Sequence, residues 1–229
     1  MSRFIAVGDI HGCSQTLARL LEILDLRPGD TLLSTGDLSS KGEDSRGVHT
    51  QLLDIEKSGV RVIVLLGNHE VMLLAMQRTV GANVDLSAFP ESMFHDADVS
   101  FLMRSNETWA TLRSYGLGVA DDPESWAFQS RDPRRHFEKV TQRLSPADWL
   151  LPQSHLDFLC RCRTHHIERN CLFVHSGIQP AYLSMDNVYH AVETQLRHDA
   201  KQLCWNRDWL GQAPQARRER QSVLPRLHG

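Results

Sequence analysis

Four short polar clusters in this sequence combine a glycine with aspartate, histidine or asparagine. The clusters are Gly8-Asp9-Ile10-His11-Gly12, Gly36-Asp37, Gly67-Asn68-His69-Glu70 and His175-Ser176-Gly177. Carboxylate, amide and imidazole groups form a mixed oxygen and nitrogen ligand set, which suits divalent ions such as Mn²⁺, Fe²⁺ or Zn²⁺. Without a cation, neighbouring carboxylates repel each other and resist burial. These residue types therefore predict a metal centre.

A pair of such ions would give the centre a hydrolytic chemistry. A carboxylate that bridges two ions about 3.5 to 4 Å apart holds both of them, and a water shared between the ions ionises near neutral pH. Asp37 is the candidate for the bridging carboxylate. The shared water would be the nucleophile, so the expected reaction has no covalent enzyme intermediate.

The four clusters directly follow four short apolar runs, which we interpret as buried strands because they are rich in β-branched residues. The runs are Phe4 to Val7, Thr31 to Thr35, Val60 to Leu66 and Cys171 to Val174. In an open α/β sheet the carboxyl ends of the strands converge on one crevice. Residues that lie far apart in the sequence are therefore expected to meet there.

Helical periodicity separates the first three strands. Leucines spaced by three and four residues predict a helix from Ser14 to Leu26, with Ser14 as its N-cap. The same spacing predicts a second helix that ends before Gly59, and Val71 to Met76 begins a third. This alternation of strand and helix predicts an α/β fold with a largely parallel sheet.

The order of the motifs resembles the calcineurin-like metallophosphoesterases, and most closely their phosphoprotein-phosphatase branch, which includes small bacterial and phage phosphatases. D-x-H, G-D and G-N-H-E occur in the family order, and three further segments match: Thr111 to Gly116, Leu172 to Ile178 and Trp205-Asn206-Arg207. The resemblance covers roughly residues 3 to 210. It implies a sandwich of two mixed β-sheets flanked by helices, incomplete at its C-terminal strands.

The resemblance also implies roles for individual residues. The metal ligands would be Asp9, His11, Asp37, Asn68 and His175, with Asp37 shared between two ions. His69 would be the general acid that protonates the leaving oxygen, which makes His69 and Asp37 the catalytic pair. The phosphate of the substrate would be held by Arg207, Lys41 and Asn68, since charged donors stabilise the transferring phosphoryl group.

Some of these residues also have a second interpretation that involves no chemistry. Asn68 suits the N-cap of a helix, and Glu70 would then favour the helix dipole, which is compatible with ligation by Asn68. Arg207 could be a solvated arginine at an ordinary helix start. The adjacent His165 and His166 lie near arginines in the sequence, and we interpret them as a solvated face with no chemical role.

The sequence departs from the family in its second motif. An Asp-Arg pair usually precedes the glycine there, whereas this chain has Ser40 and Lys41. Ser40 replaces the aspartate that orients the histidine acid, and Lys41 offers a point charge without the planar fork of arginine. Dinucleoside tetraphosphatases of the family also lack that aspartate. We therefore expect either lower activity or a shifted substrate.

A second departure lies at the C-terminal end of the sequence. The family pattern normally continues past Trp205-Asn206-Arg207 to a strand that ends in Gly-His, whose histidine completes the second metal site. Residues 211–229 form a basic tail with no strand pattern, so we expect the second ion to bind weakly. We interpret 1–210 as the metallophosphoesterase domain, 79–150 as a helical insertion or cap within it, and 211–229 as poorly ordered.

The resemblance makes a serine/threonine protein phosphatase the first expected function. A symmetrical dinucleoside tetraphosphatase is the alternative that the missing aspartate supports. A degenerate phosphatase that only binds phosphorylated or nucleotide ligands is the third. The expected cofactor is a pair of divalent ions, with Mn²⁺ first and Fe²⁺ or Zn²⁺ possible, and the expected partner is a phosphorylated protein or a nucleotide.

Composition narrows the remaining function classes. The chain has 229 residues and a formal net charge of −3, so no overall positive field favours nucleic acid or anionic lipid. No apolar stretch approaches the roughly 18 residues that a membrane span requires, and we expect a cytoplasmic protein. The five cysteines are odd in number and show no C-x-x-C spacing, which indicates reduced, structural thiols.

Overall fold

A computed structural model describes residues 2–94, 106–117, 149–179, 182 and 187–206 of the chain. Its strands are β1 (Phe4–Val7), β2 (Thr31–Ser34), β3 (Arg61–Val64), β4 (His165–Glu168) and β5 (Cys171–Val174). Its helices are α1 (Ser14–Leu24), α2 (Ser45–Lys57), α3 (Asn68–Thr79), α4 (Asn106–Ser114), α5 (Gln153–Cys160), α6 (Val188–Asp199) and α7 (Gln202–Trp205), with a 3₁₀ turn at Glu91–Met93. The predicted α/β class is confirmed.

The first three strands form a parallel sheet with β2 in the centre, as the alternation of strands and helices predicts. Phe4 pairs with Thr31, which in turn pairs with Arg61, so the three strands begin level with one another. They also end level, at Val7, Ser34 and Val64. The polar clusters that follow these strands therefore start from the same edge of the sheet.

The second sheet contains β4, which begins with His165 and His166, the two histidines that we interpreted from the sequence as a solvated face. That interpretation is wrong, because His165 to Glu168 pairs antiparallel with Cys171 to Val174, and His166 is only 8% exposed. The turn between the strands places Arg169 and Asn170 at positive φ, 48° and 64°. Asparagine tolerates this left-handed conformation in tight hairpin turns. The predicted boundaries of β5 are confirmed.

Successive side chains of a strand point to opposite faces of the sheet, and in the parallel sheet both faces are buried. Leu32 faces the main core, where helices α1, α2, α3 and α5 pack, whereas Leu33 and Ile63 face the hairpin. Phe4 and Phe173 join that second cluster, with their ring centroids 5.3 Å apart. Helices α6 and α7 cover the far side of the hairpin. The result is a layered α/β sandwich.

Helix boundaries differ from the prediction at α1. Cys13, not Ser14, occupies the N-cap position, because the Ser14 hydroxyl donates instead to the Asp44 carboxylate at 2.7 Å. The helix ends at Leu24, two residues early, since Asp25 adopts a left-handed conformation with φ 42°. Among the described residues, no helix combines the length and apolarity that crossing a bilayer requires.

Helix α3 is enclosed on every side, which explains its apolar sequence. All nine residues from His69 to Gln77 are buried. The Gln77 amide donates to the Trp149 carbonyl at 2.7 Å and accepts from the Leu151 amide at 2.9 Å. Described parts of the predicted insertion thus pack on this helix, while 95–105 and 118–148 lie outside the described residues, as does the predicted tail 211–229.

The opposite end of the sheet is held by a buried carboxylate at the start of β2. Asp30 is 3% exposed and accepts hydrogen bonds from the Arg3 backbone amide, the Arg3 guanidinium and the Arg27 amide. The bonds from Arg3 come first among the causes that hold the Asp30 pKa well below its usual range. The Arg3 guanidinium also donates to the Leu24 and Asp25 carbonyls, so one arginine ties β1 to the end of α1.

Replacing Asp30 with asparagine should therefore change the acid stability of the protein. A carboxylate whose pKa is depressed by folding stabilises the native state above the pKa of the unfolded chain, and this stabilisation is lost as the pH falls toward the folded value. We expect Asp30→Asn to be less stable than wild type near pH 7, and the difference to shrink below about pH 4. Urea unfolding between pH 7 and 2.5 measures this, with exposed Asp54→Asn as the control. A pH-independent difference would contradict the prediction.

Candidate functional site

The loops after β1, β2 and β3 are pressed together at the carboxyl edge of the sheet. Ile10 and His11 both donate backbone hydrogen bonds to the Asp37 carbonyl, at 3.1 and 2.8 Å. Gly36 has φ 104°, and a Cβ at this position would lie 2.7 Å from the Gly67 nitrogen. Only glycine permits this approach, which explains why a glycine precedes Asp37.

Asp37 lies at the centre of the site, and its two carboxylate oxygens face different neighbours. Oδ1 lies 3.4 Å from His175 Nε2 and accepts a hydrogen bond from the His69 amide at 3.1 Å. Oδ2 lies 3.6 Å from His11 Nε2 and 3.8 Å from His69 Nε2. One carboxylate thus has an oxygen directed toward each of two groups of potential ligands.

Backbone carbonyls fix the orientation of two of the histidines. His11 Nδ1 lies 3.1 Å from the Ser39 carbonyl, and His175 Nδ1 lies 2.8 Å from the Thr35 carbonyl. A carbonyl only accepts hydrogen bonds, so each Nδ1 carries a proton, and Nε2 is the ring nitrogen left to face a metal ion. Both Nε2 atoms face Asp37. This is the tautomer and orientation of a metal-binding histidine whose other nitrogen is held by a backbone acceptor.

The two groups of ligands are completed by Asp9 and Asn68. Asp9 Oδ2 lies 3.8 Å from His11 Nε2, and its side chain is 52% exposed. Asn68 Oδ1 lies 3.3 Å from His175 Nε2. The sets are therefore Asp9 with His11 on one side of Asp37, and Asn68 with His175 on the other.

The donor chemistry of this cluster fits divalent cations. Ligand atoms of His11, Asp37 and His69 all lie within 4.8 Å of one another. Carboxylate and amide oxygens with neutral imidazoles suit ions such as Mn²⁺, Fe²⁺ and Zn²⁺. Burial raises the pKa of Asp37, and the nearby His175 opposes this rise. A cation between these groups would offset the cost of keeping the buried carboxylate charged.

Glu70 holds the loop of residues 37–39, called the Asp37 loop below, and this role was not predicted from the sequence. It is fully buried, and its carboxylate accepts the backbone amides of Asp37, Leu38, Ser39 and Gly67 at 2.7, 2.9, 3.2 and 3.3 Å. Burial raises the pKa of Glu70, the Asp37 charge adds to the rise, and the amides from the loop oppose it. The sequence does contain a signal, because an acid three residues after an N-cap can cap the helix start.

The same contacts correct the capping interpretation of Asn68. Gly67 is the N-cap of α3 and Asn68 is the first helical residue. Glu70 returns to the Gly67 amide as the third residue of a capping box does, and it uses its remaining acceptor capacity on the neighbouring loop. The Asn68 side chain is thereby left facing His175.

Lys41 lies at the open side of the cluster. Its Nζ donates to His11 Nε2 at 2.8 Å, and the residue is exposed. Ser40 and Lys41 both have positive φ, 72° and 63°, which is uncommon for residues with a side chain. The Ser40 amide donates to the hydroxyls of Ser45 and Thr111 at 3.1 and 2.9 Å, so helix α4 supports this conformation.

The structure brings most of the predicted site residues into one cluster. These are Asp9, His11, Asp37, Lys41, Asn68, His69 and His175. Arg207, the predicted phosphate clamp, lies outside the described residues. His69 was predicted to be an acid and not a ligand, and the geometry places its Nε2 among the potential metal ligands.

Comparison with known proteins adds independent information. A family model described as calcineurin-like phosphoesterase matches residues 2–224. Proteins named symmetrical bis(5'-nucleosyl)-tetraphosphatase from Edwardsiella ictaluri (strain 93-146) and Enterobacter sp. (strain 638) are 39% identical over 80 residues and 40% identical over 84 residues. The matches cover 34% and 36% of this chain and 28% of each relative. The chain thus matches less than a third of the length of these curated relatives.

Replacing Glu70 with glutamine should test whether its carboxylate holds the Asp37 loop. The glutamine side chain would turn an NH₂ group, which is a donor, toward backbone N–H groups that now donate to a carboxylate oxygen. Some of these buried backbone N–H groups would then have no acceptor. We expect Glu70→Gln to lower the free energy of unfolding by about 3 kcal/mol. Urea denaturation measures this, and Glu22→Gln on the exposed side of α1 is the matched control. A loss equal to that of the control would mean that these amides do not depend on Glu70.

Proposed function

The chain belongs to the calcineurin-like phosphoesterase family, and from this we propose that it hydrolyses dinucleoside tetraphosphates with the help of divalent metal ions. The observation that carries the proposal is the position of Asp37, with one oxygen directed toward His11 and the other toward His175. A carboxylate placed in this way suits two ions in one site. The names of the relatives support the choice of substrate.

The proposed metal ligands are the residues whose donor atoms converge on Asp37. They are Asp9, His11, Asp37, Asn68 and His175. Divalent ions bound by them would activate water and neutralise charge on the phosphate, and Mn²⁺ is our first choice among the ions that suit these donors. The chain itself supplies oriented imidazoles and a buried carboxylate, which are in place before any ligand binds.

We assign the general acid to His69. It lies in the first turn of the buried helix α3, and its side chain is 7% exposed. Its Nε2 lies 3.8 Å from Asp37 Oδ2, near enough to the cluster to reach a phosphate ester bound there. General acids of this kind lower the barrier by protonating the leaving oxygen as its bond to phosphorus breaks.

Lys41 favours a polyphosphate substrate. Its ammonium group is exposed beside the potential ligands, where it adds positive charge to the entrance of the site. An ammonium attracts phosphate as a point charge and does not require the bidentate geometry of arginine. The aspartate that Ser40 replaces is also missing from the tetraphosphatases that the sequence resembles. These features support a nucleotide over a phosphoprotein as the substrate.

The proposal predicts the products as well as the cofactor. In the presence of Mn²⁺ we expect diadenosine tetraphosphate to give ADP as the sole nucleotide product, and EDTA to abolish the reaction. Asp37→Asn should lower kcat by more than about 100-fold, because replacing even an outer-shell residue of a metal site commonly costs 10- to 100-fold. Chromatography of the nucleotides measures both, with Asp54→Asn as the control.

A phosphoserine peptide is the competing substrate in the same assay. A higher kcat/KM for the peptide than for the nucleotide would assign the chain to the protein phosphatases. Binding of the nucleotide without turnover would favour the degenerate phosphatase that only binds its ligand. Full activity of Asp37→Asn would remove the central carboxylate from the proposed chemistry.

Two substitutions at Lys41 should separate charge from geometry. Lys41→Ala removes the ammonium, and we expect kcat/KM for diadenosine tetraphosphate to fall about tenfold, the size of one charged hydrogen bond. Lys41→Arg keeps the charge and should remain within about threefold of wild type. Steady-state kinetics at saturating Mn²⁺ measures the effect, with Lys57→Ala as the control. Equal losses in both variants would show that the charge alone does not bind the substrate.

A further inference from the structure

Ser39 connects the proposed metal site to the interior of the protein. It is fully buried, and each of its polar groups has a different partner. Its amide donates to Glu70 Oε1 at 3.2 Å, and its carbonyl accepts from His11 Nδ1 at 3.1 Å. Its hydroxyl lies 3.2 Å from His49 Nε2. The residue that orients His11 is thus held from two other directions.

The hydroxyl contact is the first step of a longer chain of hydrogen bonds. His49 Nδ1 lies 2.6 Å from the Tyr115 hydroxyl, which lies 2.6 Å from His155 Nδ1. His49 is fully buried, and the other two residues are each 8% exposed. The chain joins helix α2, the residue that follows α4, and helix α5. None of these three residues belongs to the proposed catalytic or metal-binding set.

Burial favours the neutral form of all three side chains, which limits how the protons can be arranged. Burial lowers the pKa of His49 to about 3, lowers that of His155, and raises that of Tyr115. The tyrosine has a single proton, so it donates to one histidine and accepts from the other. The groups in the chain are satisfied when all the bonds run in the same direction, and each of the two directions assigns one tautomer to each histidine.

We infer that Ser39, His49, Tyr115 and His155 act together as a positioning network that holds His11 in the orientation required for metal binding. The inference rests on the proposed function, because it assigns these residues to the support of the same metal site. Without its hydroxyl anchor, the Ser39 carbonyl can move, and His11 can then exchange its tautomer and rotate its ring. Outer-shell partners that fix a ligand in this way contribute measurably to metal affinity.

Two single substitutions and their combination test the network. Ser39→Ala removes the hydroxyl but keeps the carbonyl, and Tyr115→Phe removes only the oxygen that links the two histidines. We expect each variant to bind Mn²⁺ about tenfold more weakly by titration calorimetry. The double variant should bind no more weakly than the poorer single variant, because residues that act as one unit are not additive.

The tautomer of His11 gives a readout that is independent of activity. In metal-free wild type, ¹⁵N NMR should report the proton on His11 Nδ1, since that atom bonds to the Ser39 carbonyl. Both variants should show a mixture of tautomers. Asp30→Asn is the matched control, because it weakens a buried contact at the opposite end of the sheet and should change neither the tautomer nor the Mn²⁺ affinity.

Failure of this inference can be told apart from failure of the proposed function. Loss of Mn²⁺ binding in Asp37→Asn, together with wild-type affinity and an unchanged His11 tautomer in Ser39→Ala and Tyr115→Phe, would overturn the network and leave the metal site in place. Wild-type Mn²⁺ binding by Asp37→Asn would instead overturn the proposed metal site. Equal loss of affinity in Asp30→Asn and the network variants would show a general effect of destabilisation, and would also overturn the inference.

Discussion

The architecture of the site depends on keeping two acidic side chains buried next to each other. Burial raises the pKa of both Asp37 and Glu70, and the charge of Asp37 adds to the rise at Glu70. The structure meets this cost in two different ways. Glu70 is surrounded by backbone amides, which makes it a structural acceptor. Asp37 has one amide and three imidazoles around it, which leaves its oxygens available for a cation.

The clustering of the candidate site residues could be predicted because it follows from strand ends. Apolar runs that stop at glycine and a polar residue mark the carboxyl edge of a parallel sheet, and parallel pairing with level ends brings these loops together. Asp9, Asp37 and Asn68 follow three such strands. His175 follows β5 of the other sheet, and it reaches the cluster because that sheet packs face to face on the first.

Other parts of the structure could not be predicted because their signals are weak or long-range. Strand β4 begins with two adjacent histidines, which hide its pattern of burial. The Ser39 network joins residues that are 10, 66 and 40 positions apart, and no local spacing reveals such contacts. Glu70 was assigned to the helix dipole, which is a local effect, whereas its main partners are the amides of the Asp37 loop, more than 30 residues away.

Ligands and supports therefore come from different parts of the chain. The proposed ligands lie on loops that the two sheets align, whereas Thr111, Tyr115 and His155, which lie on or beside helices α4 and α5, contact Ser39 and Ser40 directly or through His49. A change in these helices can alter how firmly His11 and Lys41 are held without replacing any ligand. The geometry of the candidate metal site therefore depends on residues outside the D-x-H, G-D and G-N-H-E motifs.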